Sequence, residues 1–302
     1  MEKDGILLVD KPEGVSSARV VSIIKRRFKV KKVGHTGTLD PFATGLLPIA
    51  LGKGTKLSRF YLGGDKAYIA TVRLGEQTDT YDKTGTLIER ADDAQLEAIT
   101  PEQVQDAVAG FLGPQEQIPP SYSALKHKGV PLYKLARQGE MIQKPPRKIT
   151  IFDIRIIGMD LPEVEIFVSC TGGTYIRSIA HDLGKMLGCG AHLSALRRTQ
   201  SSQFSIDHAL ALPKIEAMDS DQLPPHILSP SQCLPFLPRI IVDPMVAQRI
   251  RHGQKLDVEA VGRPLEGQGE YIRLTDGDDR LLALVSPDGQ GLTYNYCCVF
   301  IN

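Results

Sequence analysis

One carboxylate stands out by its setting. Asp40 lies in the run Gly34-His35-Thr36-Gly37-Thr38-Leu39-Asp40-Pro41-Phe42-Ala43-Thr44-Gly45-Leu46-Leu47-Pro48-Ile49-Ala50. Its glycines allow backbone conformations that a Cβ forbids, and its prolines fix φ on either side. A carboxylate held on such a platform can act as a nucleophile or as a base at neutral pH. The same spacing suits an ordinary turn aspartate that bonds its own backbone, so the rest of the chain has to decide. Between Arg19 and Lys32 stand Arg19, Lys25, Arg26, Arg27, Lys29, Lys31 and Lys32 with no acid among them. That segment suits phosphates, and equally a helix end whose cations complement the macrodipole. Thr171-Gly172-Gly173, ahead of a helical pattern, is only a weak phosphate-loop signal. The five cysteines, at 170, 189, 233, 297 and 298, form no Cys-x-x-Cys and have no histidine pair at zinc spacing, so they read as buried or idle thiols and no metal is expected.

The length of 302 residues favours about two domains. With 42% apolar and 24% charged residues and a net charge of +1, the composition is that of a soluble globular protein with no global polyanion signature. No run approaches the roughly 18 apolar residues of a membrane span. The start, Met1 to Gly5, leads into an apolar run too short and too acidic at its head for a signal peptide, so a cytoplasmic location is expected. Ser16 and Ser17 announce a helix with Val20, Val21, Ile24 and Phe28 on one face, which ends in the basic cluster. Residues 67–74 alternate like a half-buried strand, and 78–85 read as a polar loop. Thr100-Pro101-Glu102-Gln103 carries a helix start with a cap, a first-position proline and a reciprocal glutamine. Residues 117–148 change texture, with Lys126, His127, Lys128, Lys134, Arg137, Lys144, Arg147 and Lys148 against one acid, Glu140, as in an exposed, mobile, basic excursion. Strands are expected at 149–157 and 164–170, followed by a helix with Ile176, Ile179, Ala180, Leu183 and Leu187 on one face. The proline-rich stretch 223–238 reads as a junction, and the short runs after it as a small β-barrel.

Asp10-Lys11-Pro12-x-Gly14, the Gly34 to Gly45 loop, Lys66-x-Tyr68 and Gly173-Thr174-Tyr175-Ile176-Arg177-x-Ile179, in this order and spacing, resemble the TruB-type tRNA pseudouridine-55 synthases. The resemblance runs from about residue 5 to 205, and Tyr122-Ser123-Ala124-Leu125-Lys126 is similar to the RNA-clasping insertion of that family. More weakly, the part from about Leu237, with Arg251-His252-Gly253-Gln254, is similar to a PUA domain. The resemblance implies an α+β pseudouridine synthase fold: a mixed, largely antiparallel central sheet flanked by helices over 1–236, with the insertion at about 117–148, and a small PUA-like unit over 237–302. It implies conversion of the T-arm uridine of tRNA to pseudouridine without metal or organic cofactor, by a protein expected to be a monomer.

Carried over by position, the resemblance makes Asp40 the reacting carboxylate. Arg177 orients it and holds its pKa down. Tyr68 is the stacking platform for a flipped base, Tyr175 and Leu196 line the pocket, Asp82 bonds Arg177 or the uracil edge, and His35 fills the gap that the base leaves. The residues alone leave two other readings open: an RNA-binding or tRNA-folding protein without chemistry, and a metal-dependent nuclease, which would want clustered carboxylates.

Overall fold

The computed structural model describes residues 3–262 and 270–301. Met1, Glu2, Asn302 and residues 263–269 of the C-terminal unit expected at 237–302 lie outside the described residues. Alternation along the strand Lys66–Leu74 turns Ala70, Val72 and Leu74 into the core, while Ile69, Thr71 and Arg73 stay half-buried. The strand is interior, flanked by Ala191–Ser201 on one side and Glu163–Cys170 on the other. Across the sheet the order is Leu210–Ala211, Gly5–Lys11, Thr44–Leu51, Ala191–Ser201, Lys66–Leu74, Glu163–Cys170, Arg147–Asp160, Gly113–Gln117. Only two of these neighbouring pairs run parallel, Gly5–Lys11 with Leu210–Ala211 and Thr44–Leu51 with Ala191–Ser201. The sheet is therefore mixed and largely antiparallel, as the resemblance implied. Arg197 registers against Thr44 and Arg198 against Gly45, which sets the end of the glycine loop beside a strand about 150 residues away in sequence.

Local signals explain the flanking helices. Ser16 caps the helix Ser17–Arg27, its Oγ accepting the Arg19 N–H at 3.2 Å, and Val20 and Ile24 are fully buried. Thr100 and Gln103 form a reciprocal capping box at the start of Pro101–Ala109. The helix Ile176–Met186 buries Ile176, Ile179, Ala180 and Leu183 and packs against Ala191–Ser201. None of the helices in the described residues is long and apolar enough to cross a membrane.

A second, curled sheet orders Arg239–Ile241, Ile272–Thr275, Leu281–Pro287, Thr293–Val299 and Leu256–Asp257 around Ile240, Leu274, Val285 and Tyr294. It also carries a helix that sequence reading missed, Pro244–Arg251, capped by Asp243. The two sheets share an apolar seam in which Ile6, Leu8, Leu46, Tyr61, Phe204, Cys233 and Leu234 meet Leu281, Leu284 and Phe300. At about 1.5–3 kcal/mol for each large side chain withdrawn from water, this seam binds the small sheet firmly to the large one.

The proline-rich stretch between the two sheets is packed into the fold, where Ile227 and Leu228 pair with Leu7 and Ile6, and Cys233 and Leu234 are fully buried. A two-residue pairing has no periodicity by which sequence could announce it. The basic excursion is only partly exposed, because its helix Leu132–Ala136 buries Leu132 and Ala136, and Arg147 and Lys148 already belong to the long strand Arg147–Asp160.

Candidate active site

The loop that carries Asp40 is pinned from three sides. Ser17 Oγ donates to Leu39 O and accepts the Leu39 N–H, both at 2.9 Å. Lys11, fully buried, donates from Nζ to the carbonyls of Pro12 at 2.9 Å, Val15 at 2.8 Å and Pro41 at 3.3 Å. Arg198, also buried, donates to Leu46 O at 2.7 Å, Thr38 O at 3.3 Å and Gly37 O at 3.2 Å. These bonds answer for carbonyls that a buried irregular loop would otherwise leave unpaired. Gly45 is obligatory, since φ is +100° and a Cβ there would lie 2.3 Å from the Arg198 carbonyl oxygen.

On this platform the Asp40 side chain keeps 36% of its surface open, whereas Arg177 and Asp82 keep 5% each. Arg177 Nε lies 2.9 Å from Asp40 Oδ2 with its N–H off the line to that oxygen, so the contact is Coulombic rather than a linear hydrogen bond. The other guanidinium nitrogens are fixed: Nη1 donates to Thr80 O at 2.8 Å and lies 3.4 Å from Asp82 Oδ2, and Nη2 donates to Tyr122 O at 2.8 Å. Asp82 Oδ1 in turn accepts the Thr84 N–H at 2.9 Å and the Thr80 hydroxyl at 3.0 Å. Arg177 therefore ties the helix, the 78–85 loop, the excursion and the Asp40 loop to one cation.

Burial raises the Asp40 carboxyl above its ordinary value of 3.8, with the Arg177 guanidinium opposing and Asp82 reinforcing the rise. The expectation that Arg177 would hold this pKa down is right in sign for that one interaction, but desolvation at the foot of a cleft outweighs it. The open oxygens and the strong desolvation are compatible, because the exposed surface faces a concavity and not bulk water. Burial also lowers Lys11 and Lys66 to about 8, and lowers His35, on which Arg198 acts in the same direction, so its imidazole is neutral at neutral pH.

Two cavities meet at the Asp40–Arg177 pair. The first, about 300 Å³, is lined by Tyr68, Tyr175 and Leu196 among others, with Asp40 and Arg177 in its wall. The second, about 500 Å³, shares Asp40 and Arg177 and adds His35, Asp82 and Tyr122. All seven residues singled out from sequence thus gather at this junction, five in the first cavity and His35 and Asp82 in the second. Tyr68 sits on an interior strand beside the Arg198 guanidinium and lines the first cavity. Tyr175 is held by Gln117, whose amide accepts its N–H at 2.7 Å and donates to its carbonyl at 3.0 Å, and its ring lies 4.5 Å below the Arg147 guanidinium.

Sequence reasoning missed the roles of Lys11, Gln117, Arg147 and Arg198. Lys11 and Arg147 stood in quoted motifs but had no visible partners. Arg198 is distinguishable only by strand alternation from Arg197, which points outward to Asp10 at 2.8 Å.

Comparison with known proteins finds matches along most of the chain. Residues 25–176 match the family model of TruB family pseudouridylate synthase (N terminal domain), and residues 177–233 match that of the tRNA pseudouridylate synthase B C-terminal domain. The tRNA pseudouridine synthase B of Chromohalobacter salexigens is 41% identical over 283 residues, which cover 94% of this chain and 90% of that protein. That of Syntrophotalea carbinolica is 44% identical over 250 residues, 83% of this chain and 81% of that protein. A chain from the crystal structure of a Cbf5-Nop10-Gar1 complex superposes with a TM-score of 0.71 at 26% identity, covering 99% of this chain and 84% of that one.

Proposed function

The chain belongs to the TruB family of pseudouridylate synthases, and on that footing we propose that it converts the T-arm uridine at position 55 of tRNA to pseudouridine, with Asp40 as the group that acts on the nucleoside. The observation that carries this reading is the partly open Asp40 carboxylate, paired with a buried arginine where two cavities meet.

The reaction breaks the N1–C1′ bond, turns the base, forms a C5–C1′ bond, and moves the C5 proton to N1. Atoms and electrons balance within the nucleoside, so no cofactor enters. A carboxylate is needed whether it adds to C6 of the base or acts at the ribose, and Arg177 helps to keep Asp40 ionised against the rise that burial imposes. The target base must first leave its stack, at a cost of a few kcal/mol. Tyr68 in the first cavity offsets this by stacking, worth about 1–3 kcal/mol per base. Tyr175 and Leu196 close that cavity around the uracil, Asp82 holds Arg177, and His35, on the far side of the Asp40–Arg177 pair, fills the space that the base vacates.

The phosphate backbone meets the seven bases from Arg19 to Lys32, all exposed, together with the basic face of the excursion. The unit at 237–302 serves as a PUA-like contact for the same RNA. A monomer acting in the cytoplasm fits this assignment.

The test is to incubate the protein with an unmodified tRNA transcript and map pseudouridine by carbodiimide-blocked primer extension. A block at the T-loop uridine is expected with the native chain. It should be absent with Asp40→Asn, while that variant still binds the transcript. A native chain that leaves the uridine unchanged refutes the proposal.

A further inference from the structure

Tyr81 is a bulky residue with a left-handed backbone, φ +63°, a conformation that aromatic side chains rarely adopt. It stands between the two residues of its loop that grip Arg177: Thr80, whose carbonyl accepts from Nη1 at 2.8 Å, and Asp82, whose Oδ2 lies 3.4 Å from the same nitrogen. In an extended strand a backbone carbonyl points sideways in the plane of the strand while side chains stand off its faces, so a carbonyl and a nearby carboxylate diverge unless the chain turns between them. The left-handed residue supplies that turn. The ring of His181 packs against it, stacked on the Tyr81 ring with centroids 4.0 Å apart and planes 15° from parallel.

His181 follows Arg177 by four residues on the helix Ile176–Met186, so one face of that helix presents both the cation and the ring that braces its anchor loop. No hydrogen bond reaches His181 Nδ1, and burial lowers its pKa, so the imidazole meets Tyr81 as a neutral flat surface. Backbone bonds from Tyr81 N–H to Thr78 O at 3.2 Å and from Leu193 N–H to Tyr81 O at 3.0 Å sew the turn to the sheet without fixing the ring. We propose that the Tyr81–His181 stack is a positioning device for the reaction: it holds the left-handed turn that aims Thr80 and Asp82 at Arg177, and through Arg177 it sets the placement of Asp40. Neither ring lines the first cavity with Asp40, so both act through Arg177.

The inference rests on Asp40 being the reacting carboxylate. The experiment measures kcat, KM and the pH dependence of kcat on a T-arm hairpin for the native chain, His181→Ala, Tyr81→Ala, Tyr81→Gly and Tyr81→Phe, with Asp40→Asn in parallel. Loss of the stack should lower kcat about tenfold or more in His181→Ala and Tyr81→Ala, because sub-ångström misplacement of a reacting group is costly. KM should stay within about twofold, since no RNA contact is removed. The acid limb of kcat should move to higher pH as Arg177, the largest influence opposing the rise in Asp40, is displaced, while Asp82 and Lys11, the other charges that act on Asp40, stay in place. Tyr81→Phe, which keeps the stack, should behave as native. Tyr81→Gly, which keeps the turn without strain, should fall between native and Tyr81→Ala. A native acid limb and kcat in a folded Tyr81→Ala overturn the inference, as does a Tyr81→Phe as impaired as Tyr81→Ala, which would assign the work to the hydroxyl. Turnover by Asp40→Asn would instead remove the premise and leave the stack a matter of folding alone.

Discussion

Replacing Arg177 with methionine separates the charge of the Asp82–Arg177–Asp40 cluster from its shape. The substitution keeps most of the side-chain volume but removes the cation that Asp82, 5% exposed, faces at 3.4 Å, and it leaves the Thr80 and Tyr122 carbonyls without their 2.8 Å donors. Removing one partner of a buried ion pair costs about 3–5 kcal/mol, chiefly because the remaining charge is stranded. Most of that cost should therefore reside in Asp82. Adding Asp82→Asn removes the stranded charge, while an asparagine oxygen can still accept the Thr84 N–H and Thr80 hydroxyl bonds now made to Oδ1. The double variant should recover about 1–2 kcal/mol over Arg177→Met, read as a shift of the urea midpoint at constant slope. The pH dependence has a defined sign. Without Arg177 the Asp40 carboxyl rises further in the folded state, which then holds that proton more tightly than the unfolded chain does. Arg177→Met should thus regain stability as pH falls toward the ordinary carboxylate range, so the gap to the native chain narrows in acid. A double variant no more stable than Arg177→Met would refute this assignment of the cost.

Because burial lifts Asp40 above 3.8, kcat should fall with decreasing pH at a higher pH than an ordinary aspartate would dictate, since the ionised form is lost as pH drops through the folded pKa; a limb at or below 3.8 contradicts this. Gly45→Ala combines φ +100° with a Cβ 2.3 Å from a backbone oxygen, and should cost more than about 3 kcal/mol, seen as a large drop in Tm; a Tm within about 2 °C of native would show that the parallel pairing at Arg198 yields easily. Neutralising the exposed pair Lys29 and Lys31 to glutamine should flatten the slope of log affinity against log salt by up to about 1.8 for duplex-like contacts, with kcat at saturating RNA unchanged; an unaltered slope would remove that segment from the RNA interface.

Much of the frame was legible because its signals are local. The capping box at Thr100, the helical spacing from Ile176 to Leu183 and the alternation along 67–74 each lie within a dozen residues. The candidate site was legible by resemblance, through Asp40, Tyr68, Tyr175 and Arg177, and these do converge in one cavity wall. What stayed hidden depends on long-range partners. Lys11 reaches a carbonyl 30 positions on, and Arg198 reaches carbonyls more than 150 positions back; no window of sequence contains both ends of such a bond. The net direction of the Asp40 shift was hidden for the same reason, since it depends on how deeply the assembled walls desolvate one carboxylate. The helix Pro244–Arg251 is a different case: Asp243-Pro244, Val246 and Ile250 carried a cap and a period that were there to be read.

Strand order has a consequence for how the protein is born. The Ala191–Ser201 strand slots between Thr44–Leu51 and Lys66–Leu74, and Leu210–Ala211 flanks Gly5–Lys11. A ribosome emitting this polypeptide from its first residue releases the aspartate loop early, but withholds the arginine that rivets it until some 150 further residues have been translated. Contacts of such sequence separation are slow to close. The half-made chain thus carries Asp40 on a loop that nothing yet clamps, and the cleft around it closes only when the Ala191–Ser201 strand is threaded.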